Sequence, residues 1–159
     1  MNRIIILLIS LCMFSSCHFS KGVKKDLNTG LSATYNGFEV DDIYLSDGNG
    51  TRLSNNKVTL GIPVKIVASG VKNFRLKEQN AYPGCTIILT DKNKKELLNL
   101  PDAFEGQEGL AATQATELKA TLNTGEPMVA GETYHLYVRF YDKESSENEI
   151  VSQVDIMVQ

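Results

Sequence analysis

The sequence predicts an all-β protein in which about seven or eight short strands form an antiparallel sandwich of two sheets. Several short runs alternate apolar and polar residues, which is the pattern of strands that bury one face. Turn-forming residues, including Asp-Gly and Asn-Gly pairs, separate these runs at intervals of about 10–15 residues. Helical periodicity is unconvincing throughout, and the threonines of the single candidate, residues 110–122, argue against a helix.

The first predicted strands lie in the N-terminal half of the chain. We expect a strand over residues 38–45, because the Asp-Gly and Asn-Gly pairs of residues 46–50 form a strong turn signal directly after it. Alternating apolar residues then extend from Val58 to Ile66. Because proline cannot donate to a ladder and glycine favours a bend, Gly61 and Pro63 should divide this run into two strands.

The later strands follow the same pattern. Strands are predicted over residues 85–90, 96–100 and 118–122, with a turn over residues 91–95 between the first two. The clearest alternation follows Gly131, where Tyr134, Leu136, Val138 and Phe140 share one face. A charged loop over residues 142–148 should then lead to a last strand that ends near Val158.

The N-terminus has the features of a secretory signal. Residues 1–16 contain Arg3, an apolar run from Ile4 to Phe14 and two small residues, Ser15 and Ser16. The apolar run is shorter than the roughly 20 residues that a spanning helix needs. We therefore predict that residues 1–16 are a signal peptide; a short uncleaved membrane anchor is the alternative.

The end of this segment resembles the lipobox of bacterial lipoproteins that are processed by signal peptidase II. Ser15, Ser16 and Cys17 match the small residues and the invariant cysteine of that motif, whereas Phe14 departs from its usual aliphatic residue. Cys12 is a poorer acceptor, because Leu11 occupies the position of a small residue. The resemblance implies that Cys17 carries diacylglycerol and palmitate and becomes the first residue of the mature chain.

Charge and cysteine content limit the functions and cross-links that the rest of the chain can have. We expect residues 17–32 to be the lipidated cysteine and a flexible tether, and residues 33–159 to be a single domain. Residues 31–159 hold 12 basic and 18 acidic side chains, a net charge of −6 without a basic stripe, which excludes a nucleic-acid binder. Of the three cysteines, Cys85 alone remains free after cleavage and acylation, so no intramolecular disulfide is expected.

The order of features from residue 57 to residue 158 resembles an immunoglobulin-like domain of bacterial envelope proteins. The resemblance rests on the strand, Gly-Ile-Pro kink and strand of residues 58–68, on the turn of residues 130–136 and on the closing hairpin. It implies that Tyr134 is a corner tyrosine at the start of the penultimate strand. The paired cysteines and the central tryptophan of antibody domains are missing, since the chain has no Trp.

Candidate catalytic and metal-binding groups are few, and the sequence predicts no catalytic residue, metal or cofactor. His18 and His135 are the two histidines, and Cys85 lies in an apolar strand that favours a buried role. The oxygen-bearing residues from Asp47 to Thr51 are compatible with calcium, but a tight turn requires the same residue types. The acidic residues of the 101–109 loop, Asp102, Glu105 and Glu108, could act as paired carboxylates of a glycoside hydrolase, although loop carboxylates are usually only solvated.

The candidate binding face is the outward side of the penultimate strand, formed by His135, Tyr137, Arg139 and Tyr141. Tyrosine and arginine are the residue types that dominate binding hot spots. The alternative is that both faces of this strand pack within the domain. Carbohydrate is a less favoured ligand, because carbohydrate platforms depend on tryptophan.

These observations predict a lipid-anchored, non-catalytic binding or assembly module of the bacterial cell envelope with a protein partner. An envelope hydrolase acting on glycans and a calcium-stabilised adhesin-like domain are the alternatives. The resemblance to lipoproteins, with His18 after the cysteine and a basic segment behind it, implies the outer membrane and tilts toward its periplasmic face.

Overall fold

The computed structural model describes residues 20–159, which contain strands, turns and no helix. No helix long and apolar enough to cross a membrane occurs in this part of the chain. The strands are β1 (Lys21–Lys25), β2 (Ser32–Asn36), β3 (Asp42–Asp47), β4 (Lys57–Val58), β5 (Val64–Ser69), β6 (Asn80–Ala81), β7 (Pro83–Thr90), β8 (Glu96–Leu100), β9 (Leu110–Ala111), β10 (Glu117–Leu122), β11 (Thr133–Asp142) and β12 (Ser145–Val158).

Two sheets form the body of the molecule. The larger has the strand order β1-β2-β12-β11-β7-β8, with β4 paired to the end of β12, and the smaller has the order β10-β5-β3. All neighbouring strands are antiparallel except β4 and β12, and β6 and β9 form a separate short ribbon. The predicted all-β antiparallel sandwich is confirmed, although nine strands of five or more residues occur among residues 20–159 where seven or eight were predicted.

One hydrophobic core lies between the sheets. Its side chains come from alternate positions of both sheets, for example Leu136 and Ile156 of the larger and Leu45 and Ile66 of the smaller, all at most 1% exposed. In β11 the buried positions are Tyr134, Leu136, Val138, Phe140 and Asp142. Because side chains alternate along a strand, the residues between them must point away from the core.

Two of the three features that suggested an immunoglobulin-like order, the kinked run and the corner tyrosine, occur where predicted. The Val58–Ile66 run breaks into β4 and β5, with Gly61 at a φ of +84° in the connection. The hydroxyl oxygen of Tyr134 accepts a 2.7 Å hydrogen bond from the backbone N–H of Val129, five residues upstream. This bond fastens the loop to the start of β11, as a corner tyrosine does.

The predicted tether is wrong over most of its length. Residues 21–25 form β1 and pair with β2, so the fold begins near Ser20 rather than at residue 33. The carbonyl of Ser20 also accepts a 2.7 Å hydrogen bond from the Gly37 N–H. An edge strand of this kind buries little of its own side-chain surface, so its polar composition resembles that of a linker.

Two other boundaries differ from the prediction. The charged segment of residues 142–148 is not a long loop, because β12 already begins at Ser145. Asp142 pairs with Ser145 after a register shift that follows the Tyr141–Glu149 pair, so the strands approach their turn through an irregularity rather than a long loop. Phe38 and Val40 are buried as expected but precede the strand, which starts at Asp42.

Candidate functional site

The candidate binding face lies at the middle of the larger sheet. His135, Tyr137, Arg139 and Tyr141 point outward from β11, away from the core. The side chains of His135 and Arg139 are 44% and 36% exposed, and both tyrosines are half-buried. This partly exposed surface is here called the β11 face.

Two acidic residues of β12 hold the β11 face in place. The Nδ1 atom of His135 lies 2.8 Å from Oδ1 of Asp155. The Nε–H of Arg139 donates a 2.7 Å hydrogen bond to Oε2 of Glu149. Both partners come from the neighbouring strand, whose register places Asp155 directly opposite His135. These bonds restrict the rotamers of the histidine and the arginine before any ligand binds.

Arg139 and Tyr141 also contact each other. The guanidinium carbon of Arg139 lies 4.8 Å from the centre of the Tyr141 ring, within the range of a cation–π interaction. The same ring lies across Gly84 of β7, where a Cβ atom would be only 2.2 Å from it. Desolvation raises the pKa of Tyr141, and the negative charge of Asp102 adds to the increase, so the phenol stays protonated at neutral pH.

A surface groove of about 570 Å³ continues the face beyond His135. The β7–β8 turn forms one wall, and Asp91 stabilises this turn by accepting hydrogen bonds from the N–H groups of Asn93 and Lys95 at 2.8 and 2.9 Å. The residues that line the groove are Thr90, Asp91, Lys92, Lys94, Thr133, His135 and Asp155.

Lys92 is the best-anchored cation of this groove. Its ammonium group lies 2.9 Å from Oε2 of Glu132. The hydrogen bond to Glu132, followed by the Coulombic attraction of the same carboxylate, raises the pKa of Lys92. The groove therefore offers a cationic group, an imidazole and threonine hydroxyls to a polar ligand group at the end of the β11 face.

The other candidate residues from the sequence make contacts that stabilise the fold. Oδ1 of Asp47 accepts hydrogen bonds from the N–H groups of Asn49 and Thr51 at 2.9 and 2.8 Å, which is the bonding of a tight turn. Within residues 20–159, no cluster of three or more His, Cys, Asp or Glu side chains is arranged to hold a metal ion.

Asp102 ties the 101–109 loop to the sheet. Its Oδ1 accepts hydrogen bonds from the N–H groups of Cys85 and Phe104, and its Oδ2 lies 2.6 Å from the ammonium of Lys143. Desolvation alone would raise the pKa of Asp102, but the bond from Lys143 and the two backbone bonds together lower it. A carboxylate that stays ionised in this way is a poor general acid at neutral pH. Glu105 and Glu108 of the same loop are exposed.

Cys85 is the buried thiol that the apolar strand predicted. It is fully buried, and desolvation, followed by the charge of Asp102, raises its pKa to about 12. Since the thiolate is the reactive form, this thiol is not suited to nucleophilic chemistry. Cys17 and His18 lie outside the described residues.

Sequence reasoning missed the partners of the β11 face and the groove. Asp155 and Glu149 occupy outward positions of β12, and the alternation of Val154 and Ile156 already indicated that Asp155 faces solvent. Which residue of β11 each one meets depends on the hairpin register, and the misplaced loop of residues 142–148 concealed that register.

No protein-family model matches the chain, and no curated protein matches it either. Among solved structures, the chain is similar to one described as the crystal structure of chicken MD-1 complexed with lipid IVa. The two share 13% sequence identity with a TM-score of 0.34, over 87% of this chain and 98% of that chain. A likeness of this degree does not establish a shared family or a shared function.

Proposed function

We propose that this chain is a lipid-anchored, non-catalytic binding module of the bacterial cell envelope that captures a protein partner on the β11 face. The observation that carries the proposal is the row of Tyr137, Arg139 and Tyr141 on the central hairpin of the larger sheet. Tyrosine and arginine contribute most where they bury large surfaces against a partner. Aromatic and guanidinium groups on a rigid strand lose little conformational entropy when they bind.

The ion pairs to β12 support a binding role in a second way. Because Glu149 already holds the Nε–H of Arg139, the remaining guanidinium N–H groups can bond a carboxylate or a carbonyl of the partner. The Asp155 carboxylate fixes the ring of His135 in the same manner. The geometry therefore suits a partner whose surface offers hydrogen-bond acceptors beside an apolar patch.

Partner capture tests this function. The double variant Tyr137→Ala with Arg139→Ala should lose the partner in a cross-linking pull-down from envelope extracts, while keeping its unfolding midpoint within the range of surface substitutions. Lys119→Ala on β10 of the smaller sheet is the matched control and should retain capture, because Lys119 is exposed on the other sheet. Capture that survives the double variant would remove the β11 face from the proposal.

The lipid anchor is the second part of the proposal. The signal-like segment and the lipobox resemblance support acylation at Cys17, and His18 after it supports the outer membrane. The basic segment that follows favours the periplasmic over the cell-surface face of that membrane. Intact-mass measurement of the membrane fraction should show a chain that begins at acylated Cys17. A Cys17→Ala variant that is still processed at the same position and equally membrane-bound would contradict the anchor.

A further inference from the structure

The hairpin formed by β1 and β2, residues 21–36, is an unusual part of the surface. β1 is the free edge of the larger sheet, because it pairs with β2 on one side and has no strand neighbour on the other among residues 20–159. Lys21, Val23 and Lys25 are exposed on the same side of this strand. Val23 is 61% exposed, and Leu27 at the hairpin tip is 93% exposed. We call this segment the basic hairpin.

The basic hairpin differs in charge from the body that it borders. It has three lysines within residues 21–25, whereas residues 31–159 hold 12 basic and 18 acidic side chains, a net charge of −6. Its one acid, Asp26, lies 3.7 Å from the guanidinium of Arg52 and also accepts a hydrogen bond from the Asn28 N–H. β2 adds no charged residue. The Lys24 ammonium donates a 2.7 Å hydrogen bond to the Asp41 carbonyl, whereas Lys21 and Lys25 are exposed. The hairpin therefore presents two exposed lysines beside two exposed apolar side chains.

We infer that the basic hairpin rests against the anionic phospholipid headgroups of the bilayer that holds the anchor. The inference relies on the proposed acylation of Cys17. Lys21 follows Cys17 by four positions in the sequence, so the start of β1 stays within about 14 Å of the acylated residue. Lysines held this close to an anionic surface are attracted to it, and exposed apolar side chains beside them can enter the interface.

This contact leaves the β11 face accessible. The strand order β1-β2-β12-β11 places β11 three strands from the free edge, or about 14 Å at ordinary strand spacing. The strand register places Lys21, Val23 and Lys25 on the same side of the sheet as the β11 face. The sheet therefore leans over the bilayer with its β1 edge in contact. Tyr137 and Arg139 lie three strands away from that edge, where a second envelope protein can reach them.

Lysines on an edge strand can also serve only to prevent another strand from pairing with it. These two roles make different predictions. Edge protection predicts that removing the lysines causes self-association and leaves the contact with lipid unchanged. Headgroup contact predicts the loss of a lipid-dependent signal from the hairpin in a chain that stays monomeric.

The test uses the acylated mature protein on vesicles, with an environment-sensitive fluorophore on Asn28→Cys at the hairpin tip. Cys85 is fully buried and stays unlabelled in the folded protein. A second labelled chain, with Asn93→Cys on the turn at the opposite edge of the sheet, is the control. Each is floated with vesicles of phosphatidylglycerol mixed with phosphatidylcholine, and with vesicles of phosphatidylcholine alone.

We expect the Asn28→Cys probe to report an apolar environment on the anionic vesicles and water on the neutral ones, while the Asn93→Cys probe reports water on both. The double variant Lys21→Gln, Lys25→Gln should lower the ratio of hairpins that contact the bilayer to hairpins that do not. The expected decrease is about fivefold for each lysine removed. Lys94→Gln with Lys95→Gln, at the opposite edge, should leave this ratio unchanged.

Each contrary result has its own meaning. A chain that floats while the Asn28→Cys probe reports water on both vesicle types overturns the headgroup contact and leaves the anchor standing. A chain that does not float overturns the anchor and the inference with it. A Lys21→Gln, Lys25→Gln variant that self-associates with an unchanged probe signal overturns the contact in favour of edge protection.

Discussion

Asp102 shows how a residue that suggests catalysis from its sequence context can instead be structural. Its carboxylate joins the 101–109 loop to β7 through the Cys85 N–H and to the β11–β12 turn through Lys143. Three favourable contacts outweigh the cost of desolvation and lower its pKa. A carboxylate with such contacts stabilises the folded chain in its ionised form.

This stabilisation depends on pH. Because the folded-state pKa of Asp102 is below the unfolded value of about 3.9, the unfolded state binds the proton first as the pH falls. The contribution is therefore complete near neutral pH and is lost as the pH falls through the folded-state pKa. Asp102→Asn should lower the free energy of unfolding by about 1–2 kcal/mol at pH 7, and the difference from wild type should shrink below about pH 4.

Denaturant unfolding at pH 7 and pH 3 measures this difference. Glu105→Gln is the matched control, because Glu105 is an exposed acid of the same loop and should change stability little at either pH. A difference for Asp102→Asn that stays equal at both pH values would show that the charge of Asp102 is not the cause.

Tyr134 permits a single-atom test of the corner. Tyr134→Phe removes the hydroxyl that accepts the Val129 N–H, while the buried ring remains. We expect a loss of about 1 kcal/mol in the free energy of unfolding, since one hydrogen bond disappears without a cavity in the core. Tyr137→Phe, on the outward side of the same strand, should change stability by no more than about 0.5 kcal/mol. If denaturant unfolding shows the same loss of free energy for the two variants, the hydrogen bond between Tyr134 and Val129 does not stabilise the corner.

At the scale of elements, the connection between β4 and β5 allows the effect of backbone conformation on stability to be measured separately from the effect of packing. Gly61 has a φ of +84°, and a Cβ atom built on it would meet nothing within 4 Å. Gly125, in the loop that Gly61 contacts through the Thr124 carbonyl, has equally open surroundings but no positive φ. The two glycines therefore differ in conformation and not in available space.

Alanine at each position should give opposite results. Gly61→Ala should destabilise the fold by about 1–2 kcal/mol, because an L-residue is strained in the left-handed region. Gly125→Ala should be neutral or slightly stabilising, because alanine restricts the unfolded chain. Thermal unfolding of the two variants measures these changes in stability. An unchanged stability of Gly61→Ala would show that the connection can adopt another backbone conformation without strain.

The elements also show what the sequence could predict. Alternation identified β5, β7, β10, β11 and most of β12, since each buries every second side chain in the core. β1 and β2 have little apolar alternation, and β2 joins the sheet by pairing with β12, which lies far away in the chain, so no local pattern revealed them. The outward residues of β11 followed from its alternation, but the acids that fix them followed only from the register of the hairpin.

At the scale of the whole molecule, the position of β1 connects the anchor to the binding face. A flexible tether would have let the domain move far from the bilayer in any orientation. With β1 in the sheet, only residues 18–20 lie between Cys17 and the fold. The proposed anchor therefore holds one edge of the sandwich near the surface.

Lengthening this connection should weaken the contact between the hairpin and the headgroups without releasing the protein from the vesicle. Ten Gly/Ser residues inserted after His18 extend the span from Cys17 to Lys21 from four residues to fourteen. The effective concentration of the hairpin at the headgroups falls as roughly the −3/2 power of linker length. The ratio of hairpins that contact the bilayer to hairpins that do not should therefore fall about sixfold. The Asn28→Cys probe on anionic vesicles measures the change. The same ten residues inserted after Gly106, in the loop at the other side of the sheet, control for the insertion itself and should leave the probe signal as it is. If the chain extended at its N-terminus keeps the full signal, the short connection is not what holds the hairpin at the bilayer.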